Sequence, residues 1–596
     1  MEPSVNPEVQ ELPLGVPRFR RKAAAFLESN SLRLEEVDLF LAILDENGEI
    51  LAAGGLRGDV IKCIAVRESA RREGLAAPLV SRLVSEAFQR DVSCVKVFTK
   101  PSNTGIFTSL GFRVLAQAPQ AVLMENGRGL EDYCRELGRH RGNGTAGLIV
   151  MNANPFTLGH LHLVREAASR VDRLFVIPVA QEGQRFSYAE RLEMIRRGCG
   201  EMATVVPGSA YQISEATFPN YFLKDLSEAS ETQMRLDIDL FCRHIAPALG
   251  INRRFVGSEP LDPLTAHYNA IMAEMLPAAG IELIELPRLC DADGPISASR
   301  VREALDAGSF RLSSALTPPS SHPCLLAELA QRALRQELDT PLKPGLVGPD
   351  SSGAHSDMDY ALMNKGIAAI RPFFPQMVLA ETPEALRQLG IDAEKAMLAA
   401  TGGVNTHRGA IFALGLALHA FGQCKMETPV SQGLMQKHLC EIAGVISSNS
   451  LTTSELHFTP QGLPSVKDAR EMARGGYQEL FDDWLPFYRS VKEQPYALQR
   501  TLLHIMSSLD DTCIIHRAGY DRAQQVKREA AELLKIAGQA GNDGKGAGND
   551  GVRTFDQKLH GLCDRYAAEG ISPGGCADML SLTLFADSII SNHTNH

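Results

Sequence analysis

Three absences narrow this 596-residue chain before any motif is read. It has no run of about 18 or more apolar residues, so no transmembrane helix is expected. Its 12 cysteines are scattered and form no C-x-x-C pair, which argues against a zinc site or a disulfide framework and for reduced thiols in the cytoplasm. Positive charge is not in excess. With 60 Lys and Arg against 71 Asp and Glu, the formal net charge is −11 and no global field would draw nucleic acid. The opening segment also lacks a basic start followed by an apolar core, so no signal peptide is expected. What is present is ordinary for folded protein: 44% hydrophobic and 22% charged residues, at a length that predicts about three to five domains.

Three zones differ in texture. Residues 1–140 mix short β-like runs with helices. "VDLFLAIL", the turn Asp45-Glu46-Asn47-Gly48 and "EILAAGGL" read as a hairpin, because Asn-Gly supports the positive φ of a tight turn. After the Gly-rich stretch "RGNGTAG" (141–147), β-runs alternate with helices up to about residue 315, which predicts a parallel sheet covered on both faces. A Pro/Ser-rich stretch, "SSALTPPSSHP" (313–323), marks the next boundary. Residues 323–596 are helix-dominated, and within them "GQAGNDGKGAGNDG" (538–551) reads as a flexible insertion.

The middle zone carries the sharpest signal. The strand "GLIVM" ends where "NANPFTLGH" begins, and in a parallel sheet ligands bind beyond the carboxyl ends of strands. A helix starting near Gly159 turns free N–H groups and the positive end of its dipole toward that spot, which suits phosphate. Gly159 lets the backbone approach a ligand with no Cβ in the way. Thr157 and His160 add side-chain donors, and Asn154 lines the turn. Such a site would stabilise charge developing on an α-phosphate during adenylyl transfer. Far downstream, "ISASRVREAL" (296–305) offers Ser297 or Ser299 as a helix cap, with Arg302 one turn after Ser299. Hydroxyl, bare N–H groups and guanidinium make a second phosphate cradle.

T-x-G-H after the first strand, paired with I-S-x-S-x-x-R, resembles the nucleotidylyltransferase superfamily with a Rossmann-like α/β fold. With "RFSYAERLEMI", "SEATFPNYFLKD", "DIDLF", "RRFVGSEP" and "TAHYN", the zone is similar to the citrate lyase ligase family. The resemblance implies that ATP activates acetate and that the acetyl group passes to the prosthetic-group thiol on the acyl carrier subunit of citrate lyase. It implies catalytic roles for Thr157 and His160 at the triphosphate. Nucleotide-binding roles fall to Asn154, Gly159, Ser297, Ser299 and Arg302, the last two holding the β/γ-phosphates or leaving pyrophosphate.

In the first zone, "VIKCIAVRESARREGLAAPLVSRLV" sets Arg71, Gly74 and Ala76 as R-x-x-G-x-A between a strand and a helix. This is similar to the pyrophosphate loop of GNAT-type acetyltransferases and implies a GNAT-like α+β fold that docks the carrier's phosphopantetheine-like arm.

The third zone has four polar clusters before apolar helices. "TPLKPGLVGPDSSGAHSDMDYAL" (340–362) contains Lys343, His355, Asp357 and Asp359. "AATGGVNTHRGAIFALGLAL" (399–418) contains Gly402, Gly403, Asn405, Thr406, His407 and Arg408. "SSLDDTCIIHRAG" (507–519) contains Asp510, Asp511 and Arg517, and "ISPGGCADMLSLTLF" (571–585) contains Asp578. Clusters of this kind suggest one shared site among packed helices, where carboxylates can hold Mg²⁺ against a triphosphate and cations with glycine N–H groups can hold the phosphates. The stretches resemble the triphosphoribosyl-dephospho-CoA synthase family, all-α, which displaces adenine from ATP with the ribose 2′-hydroxyl of 3′-dephospho-CoA. The resemblance implies Asp357, Asp359, Asp510 and Asp511 as catalytic carboxylates, with Mg²⁺ on Asp510 and Asp511. Nucleotide binding then falls to Lys343, Gly402, Gly403, Asn405, Thr406, His407 and Arg517. Two departures stand out: Leu342 is inserted into the usual T-P-K-P-G, and Val347-Gly348 replaces V-D, which leaves a malonate-decarboxylase-linked role open on this stretch alone. Two other functions are weighed against the pair: a coenzyme-A-pathway adenylyltransferase, and a non-catalytic nucleotide-binding regulator.

Overall fold

The alternating run at residues 39–57 folds into the expected hairpin, β2 (Leu39–Leu44) antiparallel to β3 (Ile50–Arg57). Its turn differs from the expectation. Only Gly48 takes a positive φ, at 76°. The Asp45 carboxylate accepts the N–H groups of Asn47 (3.0 Å) and Glu49 (2.8 Å), so a longer loop closed by an aspartate replaces the tight Asn-Gly turn. The computed structural model describes residues 8–212, 226–260, 262–424, 432–448, 466–539 and 548–590. The stretch "SEATFPNYFLKD" and residues 540–547 of the Gly-rich insertion lie outside them.

Seven strands make the first sheet, in the order β1-β2-β3-β4-β5-β7-β6. Beyond the hairpin these are β1 (Val9–Glu11), β4 (Val60–Val66), β5 (Val95–Thr99), β6 (Arg113–Gln117) and β7 (Val122–Asn126). All neighbours are antiparallel except β4 and β5, which pair in parallel only at Val60–Lys96 and Ile61–Val97 and part beyond. The helix Ala76–Gln89 connects them and buries Leu79, Val80, Leu83 and Ala87.

The second sheet has five parallel strands in the order β10-β9-β8-β11-β12, as the alternation predicts. They are β8 (Ala146–Met151), β9 (Arg173–Pro178), β10 (Thr204–Val205), β11 (Arg253–Gly257) and β12 (Glu282–Leu286). The chain order reverses between β8 and β11. A doubly wound sheet opens its ligand crevice at that switch, beyond the carboxyl end of β8. The Gly-rich stretch at 141–147 joins two sheets that share one buried core, since Phe40 and Leu123 of the first belong to the same cluster as Leu148 and Phe175 of the second. Arg173 pins the stretch through the carbonyls of His140, Gly142 and Asn143.

The chain divides into two compact units, Met1–Asn154 with Gly159–Ile296, and Pro155–Leu158 with Ser297–His596. The division thus falls earlier than the Pro/Ser-rich stretch. That stretch is folded because its prolines and serines turn the chain between helices. It begins inside the helix Phe310–Ala315, which Ser309 caps from upstream, Pro319–Ser321 then forms a 3₁₀ turn, and His322 opens the helix His322–Asp339. Phe310 meets Phe421 edge-on at 4.9 Å, which packs this segment onto the helical unit.

In that second unit the helices Arg408–Gln423 and Gly574–Ile589 are apolar nearly all round, and His322–Asp339 packs a broad apolar face beside them. Helices apolar on every side form the centre of a bundle. Among the described residues no helix is long and apolar enough to cross a membrane.

Candidate functional site

In the first unit the turn after β8 is built around a buried cation. Ala153 is buried at φ 49°, a left-handed conformation costly for any residue with a Cβ. Arg191, fully buried in the helix Tyr188–Cys199, holds the turn. Its guanidinium donates to the Asn152 carbonyl and side-chain oxygen (both 2.9 Å) and to the carbonyls of Val179 (2.9 Å), Gln181 (2.5 Å) and Phe186 (3.2 Å). The ends of β8 and β9 are thereby tied to one group. The Asn154 amide bridges the same loops, donating to Gln184 at 2.8 Å and accepting from the Phe186 N–H at 3.1 Å. His160, in the first turn of the helix Leu158–Ala168, is pushed down to about 4 by desolvation first and by the Arg288 guanidinium second. It therefore works as a neutral imidazole. Arg288 is itself held by Glu259 and by the Ser258 carbonyl at 2.8 Å.

Thr157 is buried and, with the 297–302 turn, belongs to the second unit. Between the two serines the structure chooses Ser297 as the cap, its hydroxyl accepting the Arg300 N–H at 3.3 Å. Ser299 accepts from the Arg302 guanidinium at 2.9 Å, so these two side chains already form one polar group. Within this unit Ser321 Oγ donates to the Phe156 carbonyl at 2.7 Å and the Leu158 N–H donates to the Leu316 carbonyl at 2.9 Å.

The four polar clusters of the helical unit meet. The inserted Leu342 is absorbed by a left-handed backbone, φ 55°, which leaves Lys343 buried against Glu337, at 2.5 Å from its carboxylate and 2.6 Å from its carbonyl. His407 is buried, bonded through Nδ1 to Thr406 at 2.8 Å, and pushed down to about 4 by burial first and the Lys343 charge second. Gly402 and Gly403, at φ 66° and 92°, terminate the helix Pro383–Ala400, and Asn405 caps the next helix through the Arg408 N–H at 3.1 Å. Asp578 presses on Gly409, where a Cβ would stand 1.9 Å from its carboxylate. Burial first, then the charges of Asp511 and Glu337, push the Asp578 carboxyl well above the usual range.

Of the four aspartates implicated by sequence, two line an open space. Asp357 and Asp359 border a cavity of about 360 Å³ together with Ser352, Ser356 and Lys365. Asp359 also caps the helix Tyr360–Ile370 through the Leu362 N–H at 2.8 Å. The other two are engaged elsewhere. Asp510 binds Lys527 at 2.8 Å and Gln524 at 2.9 Å. Asp511 is buried, and its two oxygens accept the N–H groups of Cys513 (2.8 Å), Ile514 (3.3 Å) and Cys576 (2.8 Å), so it caps two helices at once. A magnesium ion on Asp510 and Asp511 does not fit this arrangement, because the Asp511 oxygens are already spent on backbone donors. Among the described residues no group of three or more His, Cys, Asp or Glu side chains is placed to hold a metal ion.

Sequence reasoning missed Arg191, Glu337 and Lys365. Arg191 and Glu337 sit in helices whose charged residues look like a solvated face, and only burial distinguishes them.

Residues 146–325 match the family model described as citrate lyase ligase C-terminal domain, and residues 324–595 match that of ATP:dephospho-CoA triphosphoribosyl transferase. The chain is 44% identical over 313 residues to a citrate (pro-3S)-lyase ligase of Klebsiella pneumoniae, covering 51% of this chain and 91% of that one. It is 35% identical over 283 residues to a Salmonella choleraesuis protein named "Probable 2-(5''-triphosphoribosyl)-3'-dephosphocoenzyme-A synthase 1", covering 43% of this chain and 88% of that one. A solved pantothenate synthetase from Thermus thermophilus aligns at 15% identity over 34% of this chain and 73% of its own, with a TM-score of 0.22.

Proposed function

Because the chain belongs to the citrate lyase ligase family through its first half and to the triphosphoribosyl-dephospho-CoA synthase family through its second, we propose that one polypeptide builds the precursor of the citrate lyase prosthetic group and acetylates the finished thiol. The single observation behind this reading is that the two family matches lie end to end, 146–325 and 324–595. The two halves act on the same cofactor, which favours citrate lyase over a malonate-linked target.

In the ligase half, ATP and acetate give AMP, pyrophosphate and an acetyl group carried to the acyl carrier's thiol. Thr157, Gly159 and His160 take the phosphate at which the adenylyl bond breaks, while Ser299 and Arg302 take the leaving pyrophosphate. Neutral His160 donates a hydrogen bond without adding a full charge, and it strengthens as negative charge grows on the phosphate oxygens. Arg191 touches no substrate and holds the turn that positions Asn154. Residues 1–140 are read as a GNAT-like region, supported by the strand order and by the parting of β4 from β5. Gly74, at φ 72°, turns the chain into the helix Ala76–Gln89, and Arg71 stands exposed beside it. These features suit the phosphate-bearing arm of the carrier. We assign residues 141–315 to adenylyl transfer.

In the synthase half, residues 323–596, the 2′-hydroxyl of 3′-dephospho-CoA displaces adenine from ATP. Breaking the glycosidic bond builds positive charge on the ribose carbon, which one of the two cavity carboxylates, Asp359, opposes, leaving Asp357 for the acceptor hydroxyl. Lys343, Arg517 and the 402–407 turn supply the phosphate and nucleotide contacts. Magnesium arrives with the triphosphate as its counter-ion.

Two incubations test the whole. With ATP, acetate and thiol-form carrier, the carrier gains one acetyl group by mass; with ATP and 3′-dephospho-CoA, free adenine appears. ATP binding with neither AMP nor adenine formed would mark a regulator, and pyrophosphate released with a coenzyme-A precursor in place of acetate would mark an adenylyltransferase.

A further inference from the structure

The synthase carboxylates do not stand alone at their cavity. Behind Asp357 lies His355, nearly buried, whose Nε2 is 2.8 Å from Ser572 Oγ and whose Nδ1 is 3.6 Å from Asp357 Oδ1. Two glycines fix this register. A Cβ on Gly345 (φ 71°) would meet the Ile571 carbonyl at 1.9 Å, and one on Gly353 (φ 57°) would meet the backbone of Gly345 at 2.6 Å. The 345–357 loop therefore lies directly against residues 571–573, and the Ala354 N–H closes it on the Gly345 carbonyl at 3.0 Å. Ser572 is buried and holds one ring nitrogen, which leaves the other turned toward Asp357. Asp357 is well exposed and lines the cavity, whereas His355 does not.

A separation of 3.6 Å is too long for a hydrogen bond. The two atoms face each other across that gap, and a single proton between them would close it. We propose that Asp357 and His355 form one proton-accepting unit for the synthase reaction, with Asp357 touching the acceptor hydroxyl and His355 the positioning residue behind it. Ser572 fixes the tautomer by accepting the Nε2–H. This rests on the synthase reading above and names its base.

The step balances. The acceptor's O–H bond breaks and its proton goes to Asp357, where His355 Nδ1 shares it. The oxygen forms a bond to the ribose carbon of ATP, and the carbon–nitrogen bond to adenine breaks with its electron pair going to adenine. Adenine takes one proton from water, and the Asp357–His355 unit returns one to water. The charged groups facing His355 are Asp357 on its own loop and Arg517 from the helix Thr512–Ala518. Burial first and Arg517 second hold His355 below its ordinary range, which favours the unprotonated ring.

The test uses the full-length protein with His355→Gln. Glutamine can still hold Asp357 by a hydrogen bond but cannot take a proton. Adenine release from ATP and 3′-dephospho-CoA should fall about 100-fold in kcat, the scale of general-base catalysis, with KM for dephospho-CoA little changed. The acid limb of the kcat profile should move to lower pH. Carrier acetylation by the same preparation should be unaffected. A His355→Gln protein with wild-type kcat and the same acid limb overturns the proposal while leaving the synthase reading intact. If the variant does not fold, Ser572→Ala decides, since releasing the Nε2 anchor should lower kcat for adenine release and move its acid limb, and an unchanged kcat and limb in that variant overturns the proposal. A wild-type protein that releases no adenine removes the synthase reading, and this inference with it.

Discussion

Replacing Asp511 by alanine separates a structural carboxylate from a chemical one. Its two oxygens accept three backbone N–H groups, two at the start of the helix Thr512–Ala518 and one at the start of Gly574–Ile589. Losing a helix N-cap costs about 0.5–2 kcal/mol, and two are lost at once. The Cys576 N–H is buried and would be left without an acceptor, which costs about 1–3 kcal/mol. Against this stands a gain, because burial holds the Asp511 carboxyl above its ordinary range and alanine removes that desolvated group. The net is a destabilisation of about 3 kcal/mol, or a fall in Tm of roughly 5 °C for a unit of this size. Thermal unfolding followed by circular dichroism at neutral pH reads it, and hydrogen exchange should quicken in the first turns of the two helices. Asp511→Asn should lose most of the same stability, since its amide turns a donor toward the Cys576 N–H. An Asp511→Ala protein that keeps its Tm and its exchange pattern yet no longer releases adenine would refute the capping argument and return Asp511 to the chemistry.

Other outcomes follow from the same geometry. His407 shifts from 6.5 to about 4 on folding, so the unfolded chain takes up a proton that the folded chain refuses as pH drops between those values. That unit should lose about 3 kcal/mol of stability across the window and none above it, and urea unfolding of His407→Gln should show a correspondingly flatter pH dependence. Arg191→Met strips the donor from five oxygens in the turn after β8 and should lower Tm and carrier acetylation together, whereas adenine release in the second unit should persist. His160→Ala should abolish ATP-dependent acetylation with little change in Tm, and near-normal activity in that variant would remove it from the site.

Much of the middle zone was legible because apolar β-runs alternate there with helices and its signature sits at a strand-to-helix turn. The parallel sheet follows from that pattern, whereas the reversal of strand order between β8 and β11 does not, because periodicity carries no strand order. The hairpin was legible in outline but its turn was not, because an aspartate two residues before an asparagine competes for the same backbone donors. The Pro/Ser-rich stretch reads as a boundary by composition, yet Pro319–Ser321 is a 3₁₀ turn within a packed segment and Ser321 anchors it to the Phe156 carbonyl. Composition cannot distinguish a solvated serine from an anchoring one. The same limit applies to the paired aspartates at 510 and 511. Two adjacent carboxylates suggest a metal, but the backbone sends them different ways, one to a lysine on the surface and one under two helix ends. Arg191 was invisible for the opposite reason: arginine in an amphipathic helix is normally solvated, and only the converging carbonyls reveal that this one is a tie.

Four residues of the turn after β8, Pro155–Leu158, belong with the downstream half of the chain, clasped there by Ser321 and by the Leu316 carbonyl. A protease that divided the polypeptide at residue 315 would take the clasp away with the wrong fragment. Anyone wishing to express the first half by itself should keep the chain through residue 321 at least, so that Pro155–Leu158 arrives with its own fastening.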